Sequence, residues 1–333
     1  MVTERELAGM RRALELSRKG RGRTSPNPSV GAVVLSADGE VVGEGWTEPP
    51  TGRHAEVVAL DQAAARAAGG TVVSTLEPCS HVGRTGPCTA AIAKAGASRV
   101  VFGARDPHPA AAGGAADLRA LGLEVEEGVL LDEALESLHP WLTSVRLGRP
   151  HVTWKSAQSL DARIAAGEGA PVWVSSQESR ADAHAQLRAK ADAIVIGSGT
   201  VRSDNPALTV RTGDPELDSR FPLRVVMDRS KTVAHEARVL TPPGESLHTS
   251  SSPHELLLEL HARGAIDVLI EGGPTIGSAF YASGLVDRVV VYVAPVLLGT
   301  SGLPAMSARS GALDLLDATP VGPDLRLTYA VVH

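Results

Sequence analysis

Cysteine is almost missing from this chain: only Cys79 and Cys88 occur in 333 residues. Two thiols cannot build the disulfide framework of a small secreted domain, so the fold must rest on apolar burial. Aromatics are scarce as well, at 3%, which leaves Val, Ala, Leu and Ile to fill the core. The longest apolar run, residues 289–298, is too short to span a bilayer and contains Pro295. The opening Met1-Val-Thr-Glu-Arg-Glu-Leu-Ala has no basic segment followed by an apolar one, so it does not read as a secretory signal. No block of like charge occurs, and the formal net charge of −6 disfavours a surface that neutralises a nucleic-acid backbone, although a local basic pocket for one phosphate remains open. The expectation is a cytoplasmic protein that binds neither nucleic acid nor membrane.

What is present is a foldable chain, 43% hydrophobic and 21% charged, of a length that suits two domains better than one core. Apolar positions at helical spacing predict a helix over 4–19. Residues 30–35 and 41–46 read as a strand pair around Asp38-Gly39. Helices are predicted over 54–68, 88–95, 115–121 and 132–146, interleaved with strands over 72–76, 100–103 and 123–125, a layered α/β pattern. Gly148-Arg149-Pro150 interrupts the chain, and the pattern restarts with strands over 151–155, 193–197, 223–228, 267–271 and 288–293 and helices over 176–190, 254–263 and 275–284. The boundary is expected within 146–150, giving domains 1–148 and 149–333. The Pro-, Ser- and Gly-rich stretch 242–253 reads as a surface loop.

The chemistry concentrates where these elements end. His54-Ala55-Glu56 opens a predicted helix, Pro78-Cys79 follows the strand 72–76, and Cys88 opens the next helix. Two buried thiols, a buried His and a solvated Glu is the plain reading of each residue alone. Taken together, one His and two Cys make three protein ligands, the set that holds a catalytic zinc with its fourth position free. Helix starts favour the thiolate form. Glu56 is then the catalytic proton shuttle. Zinc base deaminases carry His-x-Glu and Pro-Cys-x-x-Cys. This chain matches the first and the Pro-Cys, but eight residues separate its cysteines. A nucleic-acid deaminase would show the short spacing and a basic stripe. A purely structural zinc site would close the fourth position, with His81 as the nearest candidate.

The stretch Thr75-Leu-Glu-Pro-Cys-Ser-His-Val-Gly-Arg-Thr-Gly-Pro-Cys88, with Pro26-Asn-Pro-Ser-Val-Gly31 and His54-Ala-Glu56 upstream, resembles the deaminase motif of the bifunctional riboflavin-biosynthesis deaminase–reductases, whose long inter-cysteine loop it shares. The resemblance implies a cytidine-deaminase-like three-layer domain acting on a diaminopyrimidinone that bears a phosphoribosylamino group. It implies zinc held by His54, Cys79 and Cys88, Glu56 as proton shuttle, Asn27 on the pyrimidine, and His81 and Arg84 as further candidates. One departure is the absence of the family's Arg between Gly113 and Gly114.

Residues 151–333 hold no Gly-x-Gly-x-x-Gly after a first strand, so a Rossmann domain is not supported. Ile270-Glu-Gly-Gly-Pro-Thr275 joins a strand to a helix and offers another phosphate cradle, although Gly-Gly-Pro is ordinary turn chemistry too. Lys155-Ser-Ala-Gln-Ser-Leu-Asp-Ala-Arg163, Asp204-Asn-Pro-Ala-Leu-Thr-Val-Arg211 and Glu271-Gly-Gly-Pro-Thr275 resemble the reductase motifs of the same family. That likeness implies a dihydrofolate-reductase-like domain that uses NADPH to turn the substrate's ribosyl group into a ribityl chain. Ala157, Trp173, Thr200, Asp204, Gly273, Pro274, Thr275, Ile276, Gly277, Ser278 and Ala279 would contact the cofactor, and Lys155, Arg188, Leu208, Arg211 and Glu271 the substrate. Arg188 and Arg211 suit its 5′-phosphate through paired N–H donors. Three further departures are Ala162 for a Gly, Pro171 for a substrate-contacting Ser, and Arg229 for a cofactor-contacting Ser. The alternative is a deaminase, or a side-pathway pyrimidine enzyme, with a degenerate reductase domain. A homo-oligomer, dimer or tetramer, is expected.

Overall fold

The computed structural model describes residues 1–80, 86–108, 111–165, 174–300, 302–307 and 310–332. The chain divides into two compact units, Met1–Gly148 and Arg149–His333.

The first unit contains strands β1 (Gly31–Leu35), β2 (Val41–Trp46), β3 (Thr71–Leu76), β4 (Arg99–Ala104) and β5 (Glu124–Glu127), and helices α1 (Glu4–Gly20), α2 (Ala55–Ala63), α3 (Cys88–Lys94), α4 (Gly114–Ala120) and α5 (Leu131–Leu147). The sheet order is β2-β1-β3-β4-β5; β1 runs antiparallel to both neighbours, and β3, β4 and β5 are parallel. Glycines let helices lie directly on this sheet. A Cβ at Gly31 would come within 1.9 Å of the Ala13 carbonyl oxygen in α1, and one at Gly45 within 2.4 Å of the Ala55 oxygen in α2. Gly45 pairs with Ala32, so Gly45 and Gly31 face opposite sides of the pleat. Helices therefore cover both faces, giving three layers. Thr3 caps α1 in a reciprocal box with Glu6, and the buried Glu6 also accepts from Arg99 Nε on β4 at 2.6 Å, tying the helix to the sheet.

The second unit contains β6 (His151–Ser159), β7 (Arg163–Ala165), β8 (Ala193–Gly197), β9 (Leu223–Met227), β10 (Ser246–Thr249), β11 (Asp267–Ile270), β12 (Arg288–Ala294), β13 (Leu303–Pro304), β14 (Leu313–Val321) and β15 (Asp324–Val331). Its helices are α6 (Gln177–Gln186), α7 (Ser198–Asp204), α8 (Pro215–Asp218), α9 (Pro253–Ala262) and α10 (Pro274–Ala282). An eight-stranded sheet runs β10-β9-β8-β11-β6-β12-β15-β14. It is parallel from β10 to β12 and antiparallel at β15 and β14. One face packs Val152, Trp154, Val195, Ile270, Leu256 and Phe280, the other Ile194, Ile196, Val226 and Leu269. Trp154, Phe280 and Tyr292 are almost wholly buried here, as Phe102 is in the first unit. Arg149 clamps the first turn of this unit by a two-pronged pair with Asp287 at 2.7 and 2.8 Å. The parallel arrangement brings the C-terminal ends of β8, β11 and β6 side by side, where open α/β sheets hold ligands.

Several expectations are corrected. The helix predicted over 54–68 stops at Ala63 and continues as a 3₁₀ turn. The stretch 242–253 is not all loop. Ser246–Thr249 forms β10, because the buried Arg224 donates to the carbonyls of Thr241, Gly244 and Glu245 and draws the chain against β9. The strand at 151–155 runs on to Ser159, since pairing with β12 carries the polar residues of its second half. The β14–β15 hairpin was not predicted: β15 alternates, with Leu325, Leu327, Tyr329 and Val331 at every second position, but in β14 a bulge between Leu315 and Asp317 resets the face. Among the described residues no helix is long and apolar enough to cross a membrane.

Candidate active sites

In the first unit three segments converge on one point. His54 is the N-cap of α2 with extended backbone, and Glu56 lies in the first turn. Cys79 follows the end of β3, and Cys88 opens α3. His54 Nδ1 lies 3.5 Å from Cys79 Sγ and 3.3 Å from Cys88 Sγ, and the three donor atoms lie within 4.8 Å of one another. Zinc bonds of about 2.3 Å to sulfur and 2.0–2.1 Å to nitrogen, at a tetrahedral angle, separate those atoms by about 3.5 Å. The donor set fits the ion. Among the described residues no fourth His, Cys, Asp or Glu joins this cluster. The Cys88 backbone N–H points at Cys79 Sγ, 3.4 Å away. The Cys79 thiol is drawn down by its hydrogen bonds with Cys88 and His54, against the effect of burial, and the contact with Cys79 pushes the Cys88 thiol up.

Glu56 is buried beside this triangle. One carboxyl oxygen accepts from Ser74 Oγ at 3.3 Å and the other lies 3.5 Å from Cys88 Sγ. Burial pushes its carboxyl up from the ordinary value, the direction that suits a group meant to exchange a proton near neutral pH. Sequence reasoning passed over Glu77. Its buried carboxylate accepts from the backbone N–H of Asp106 at 3.1 Å and of Ala115 at 2.9 Å, and so ties the Pro78-Cys79 turn to the chain around α4. The available signal was an acidic residue directly before the Pro-Cys. Asn27 lies half-buried in the turn that leads to β1, its N–H bonded to the Thr24 carbonyl. His81 and Arg84 lie outside the described residues.

In the second unit the predicted residues fall into two groups. The first lines the ends of β8 and β11. Gly273 is the N-cap of α10, and Pro274, Thr275, Ile276, Gly277, Ser278 and Ala279 form its first turns. Thr200 and Asp204 belong to α7, which starts at the end of the adjacent strand. Gly272 lies beside the end of β8: a Cβ on it would stand 1.8 Å from Ile276 Cγ2 in α10 and in ordinary contact, 3.6 Å, with the Gly197 nitrogen. The N-terminus of α10 therefore opens beside β8, a favourable place for an anion. Trp173 lies outside the described residues, as does Pro171.

The second group surrounds the end of β6. Lys155 and Ala157 lie on that strand, with the Lys155 ammonium 5.7 Å from the centre of the Tyr292 ring. Arg188 and Glu271 were both expected to contact substrate; the structure joins them to each other. Arg188 Nε and Nη2 donate to the two Glu271 oxygens at 2.7 and 2.5 Å, and Nη1 donates to the Thr209 carbonyl at 3.1 Å. Burial pushes the Glu271 carboxyl up, but Arg188 overrides it and holds the group at about 2. Burial also draws the Lys155 ammonium down. Leu208 is buried and Arg211 exposed. Beside them is a residue the sequence did not indicate: His184, whose Nδ1 accepts from the Arg211 N–H at 3.0 Å.

Residues 3–104 match the model of the cytidine and deoxycytidylate deaminase zinc-binding region, and residues 150–327 that of the RibD C-terminal domain. The chain is 47% identical over 289 residues to riboflavin biosynthesis protein RibD of Mycobacterium tuberculosis, covering 86% of this chain and 84% of that one. It is 36% identical to the Escherichia coli K12 protein of that name, covering 96% and 97%. Among solved structures, Acinetobacter baumannii RibD matches with a TM-score of 0.88 at 35% identity over 99% of both chains. A diaminohydroxyphosphoribosylaminopyrimidine deaminase/5-amino-6-(5-phosphoribosylamino)uracil reductase from Thermotoga maritima matches with a TM-score of 0.89 at 32% identity, over 98% of this chain and 99% of that one.

Proposed function

The chain belongs to the RibD family of bifunctional riboflavin-biosynthesis proteins, and from that membership we propose that its two units carry out consecutive steps on one substrate. Residues 1–148 hydrolytically deaminate 2,5-diamino-6-(5-phosphoribosylamino)pyrimidin-4(3H)-one, and residues 149–333 reduce the ribosyl group of 5-amino-6-(5-phosphoribosylamino)uracil to ribityl with NADPH. The observation that carries the reading is the buried His54–Cys79–Cys88 triangle with Glu56 at its side.

In the first unit, His54, Cys79 and Cys88 hold zinc, which supplies Lewis-acid activation of water at neutral pH. Glu56 takes one proton of the attacking water and passes it to the ring nitrogen, then carries the second, from the added hydroxyl, to the leaving amine, which departs as ammonia; its burial and raised pKa support this exchange. Ser74 and the close Cys88 keep the carboxyl at the metal side. Asn27 holds the pyrimidine. In the second unit, NADPH supplies the hydride. The start of α10 receives its phosphates, with Ala157, Thr200 and Asp204 as further contacts. Lys155, Arg211 and the Arg188–Glu271 pair orient the phosphoribosyl group, with Leu208 beneath them. The exposed Leu313, Leu315 and Leu316 on the sheet-edge strand β14 support assembly into a homo-oligomer, and we place the protein in the cytoplasm.

The test joins metal analysis to two assays. The purified protein is expected to contain zinc and to release ammonia from the diaminopyrimidinone; Cys88→Ala should lose both, while still oxidising NADPH with the deaminated product. Zinc-free protein that deaminates at the full rate would overturn the first assignment. Deaminated product that leaves NADPH unoxidised would overturn the second.

A further inference from the structure

His184 sits on α6 four positions before Arg188, a spacing that brings two side chains to the same side of a helical segment. It keeps only 9% of its surface exposed. Its electrostatic neighbours are Arg188, Glu271, Arg211 and Lys155, the same residues to which the reductase reading assigns the substrate. We propose that His184 is a substrate-binding residue of the reductase site and donates its Nε2–H to the phosphate of the phosphoribosyl group. The inference rests on the reductase reading above and adds a specific contact to it.

Three observations carry it. First, the tautomer is set by the backbone. Nδ1 accepts from the Arg211 N–H at 3.0 Å, so in the neutral ring the proton must be on Nε2. Burial, reinforced by the positive charge of Arg188, holds the imidazole down at about 4, so the ring is neutral in the cell. Second, Nε2 makes no hydrogen bond among the described residues. Although the residue as a whole is buried, Nε2 is not among the buried side-chain atoms left without a partner, so it reaches solvent, where a phosphate oxygen can take the place of water. Third, the neighbourhood suits an anion. Lys155, Arg188 and Arg211 set three positive charges against the two carboxylates of Glu271 and Asp218. Arg188 already uses Nε, Nη1 and Nη2 on Glu271 and Thr209. Arg188 keeps one N–H on each Nη, and Lys155 and Arg211 can donate as well; Nε2–H of His184 adds a donor whose proton the Arg211 backbone has already placed.

Two substitutions separate this role from a structural one. Asn at 184 retains an acceptor where Nδ1 stands and removes the Nε2 donor; Gln supplies a donor near Nε2 and loses the acceptor. NADPH oxidation is measured with the phosphorylated ribosylaminouracil and with its dephosphorylated counterpart. His184→Asn should raise KM for the phosphorylated substrate by about ten-fold, the effect of one hydrogen bond to a charged group. It should leave kcat within about two-fold and KM for the dephosphorylated compound unchanged. His184→Gln should stay near wild type. The reverse pattern, with Asn near wild type and Gln impaired, or an equal loss on both substrates, would show that His184 only braces Arg211 and would overturn the proposal. If either variant fails to fold, the wild-type protein with ¹⁵N-labelled histidine decides: added inorganic phosphate should shift the Nε2 resonance of His184 saturably, and no shift overturns the inference. Wild-type protein that leaves NADPH unoxidised defeats the reductase reading instead, and the phosphate titration then judges His184 by itself.

Discussion

Ala162 shows how one residue records a departure from the family pattern. Where the family carries Gly, this chain places Ala with φ +57°, in the left-handed region. The conformation is held from both sides. Asp161 accepts from Ser159 Oγ at 2.6 Å and from the amides of Leu298 and Gly299 at 3.0 and 2.7 Å, and the Ala162 carbonyl accepts from Ala305. The left-handed conformation costs a non-glycine residue about 1–2 kcal/mol, and the greater unfolded-state freedom of glycine offsets about 0.4–1 kcal/mol of the relief. Ala162→Gly should therefore stabilise the protein by roughly 0.5–1 kcal/mol, read as a rise of about 1–4 °C in the thermal midpoint. A fall in the midpoint would show that the loop is not strained. At this scale the His54–Cys79–Cys88 cluster with Glu56 beside it was legible, because these residues stand at recognisable helix starts and strand ends. Glu77 and His184 were not, because each acts through backbone groups that no local pattern reveals.

At the scale of the element, α10 links packing to the proposed cofactor site. Gly277 faces Trp154 of β6 so closely that a Cβ would lie 2.0 Å from the indole. The short side chain lets the helix descend onto the sheet, and that descent sets where the helix N-terminus opens beside β8. Gly277→Ala must move either the indole or the helix. Overpacking of this kind costs about 1–3 kcal/mol, and the displaced N-terminus should raise KM for NADPH by about ten-fold while deamination stays within about two-fold of wild type. Unchanged KM in a destabilised variant would separate the packing role from the binding role. The elements themselves were read well wherever a run was apolar on both faces, as in β8 and β12. They were missed where an edge strand is bulged and exposed, as in β14, or where a buried cation organises the turn before it, as Arg224 does for β10.

For the whole molecule, acid should weaken the second unit in two steps of the same sign. His184 titrates near 4 when folded and near 6.5 in its ordinary state. The unfolded chain thus binds the proton first, and the stability contributed by the neutral ring is complete above about pH 6.5 and lost as pH falls toward 4. Glu271 titrates at about 2 instead of 4.5; its contribution is complete above 4.5 and lost as pH falls toward 2. The thermal midpoint of the second unit should fall by several degrees between pH 6.5 and 4, and His184→Asn should flatten that limb. A midpoint independent of pH in that window would mean that His184 is protonated in the folded state.

The sequence by itself determined the chemistry of the first unit and the division of the chain. Residue types able to hold a metal are recognisable, and His54, Cys79 and Cys88 fall at element ends that local propensity already marks. The tertiary structure alone decided the electrostatics of the second unit. Arg188 and Glu271 are 83 residues apart, and His184 meets Arg211 across 27. Which charges neutralise each other, and which donor is left for a ligand, follows from the order in which parallel strands are laid side by side, and residue type and local spacing carry no record of that order.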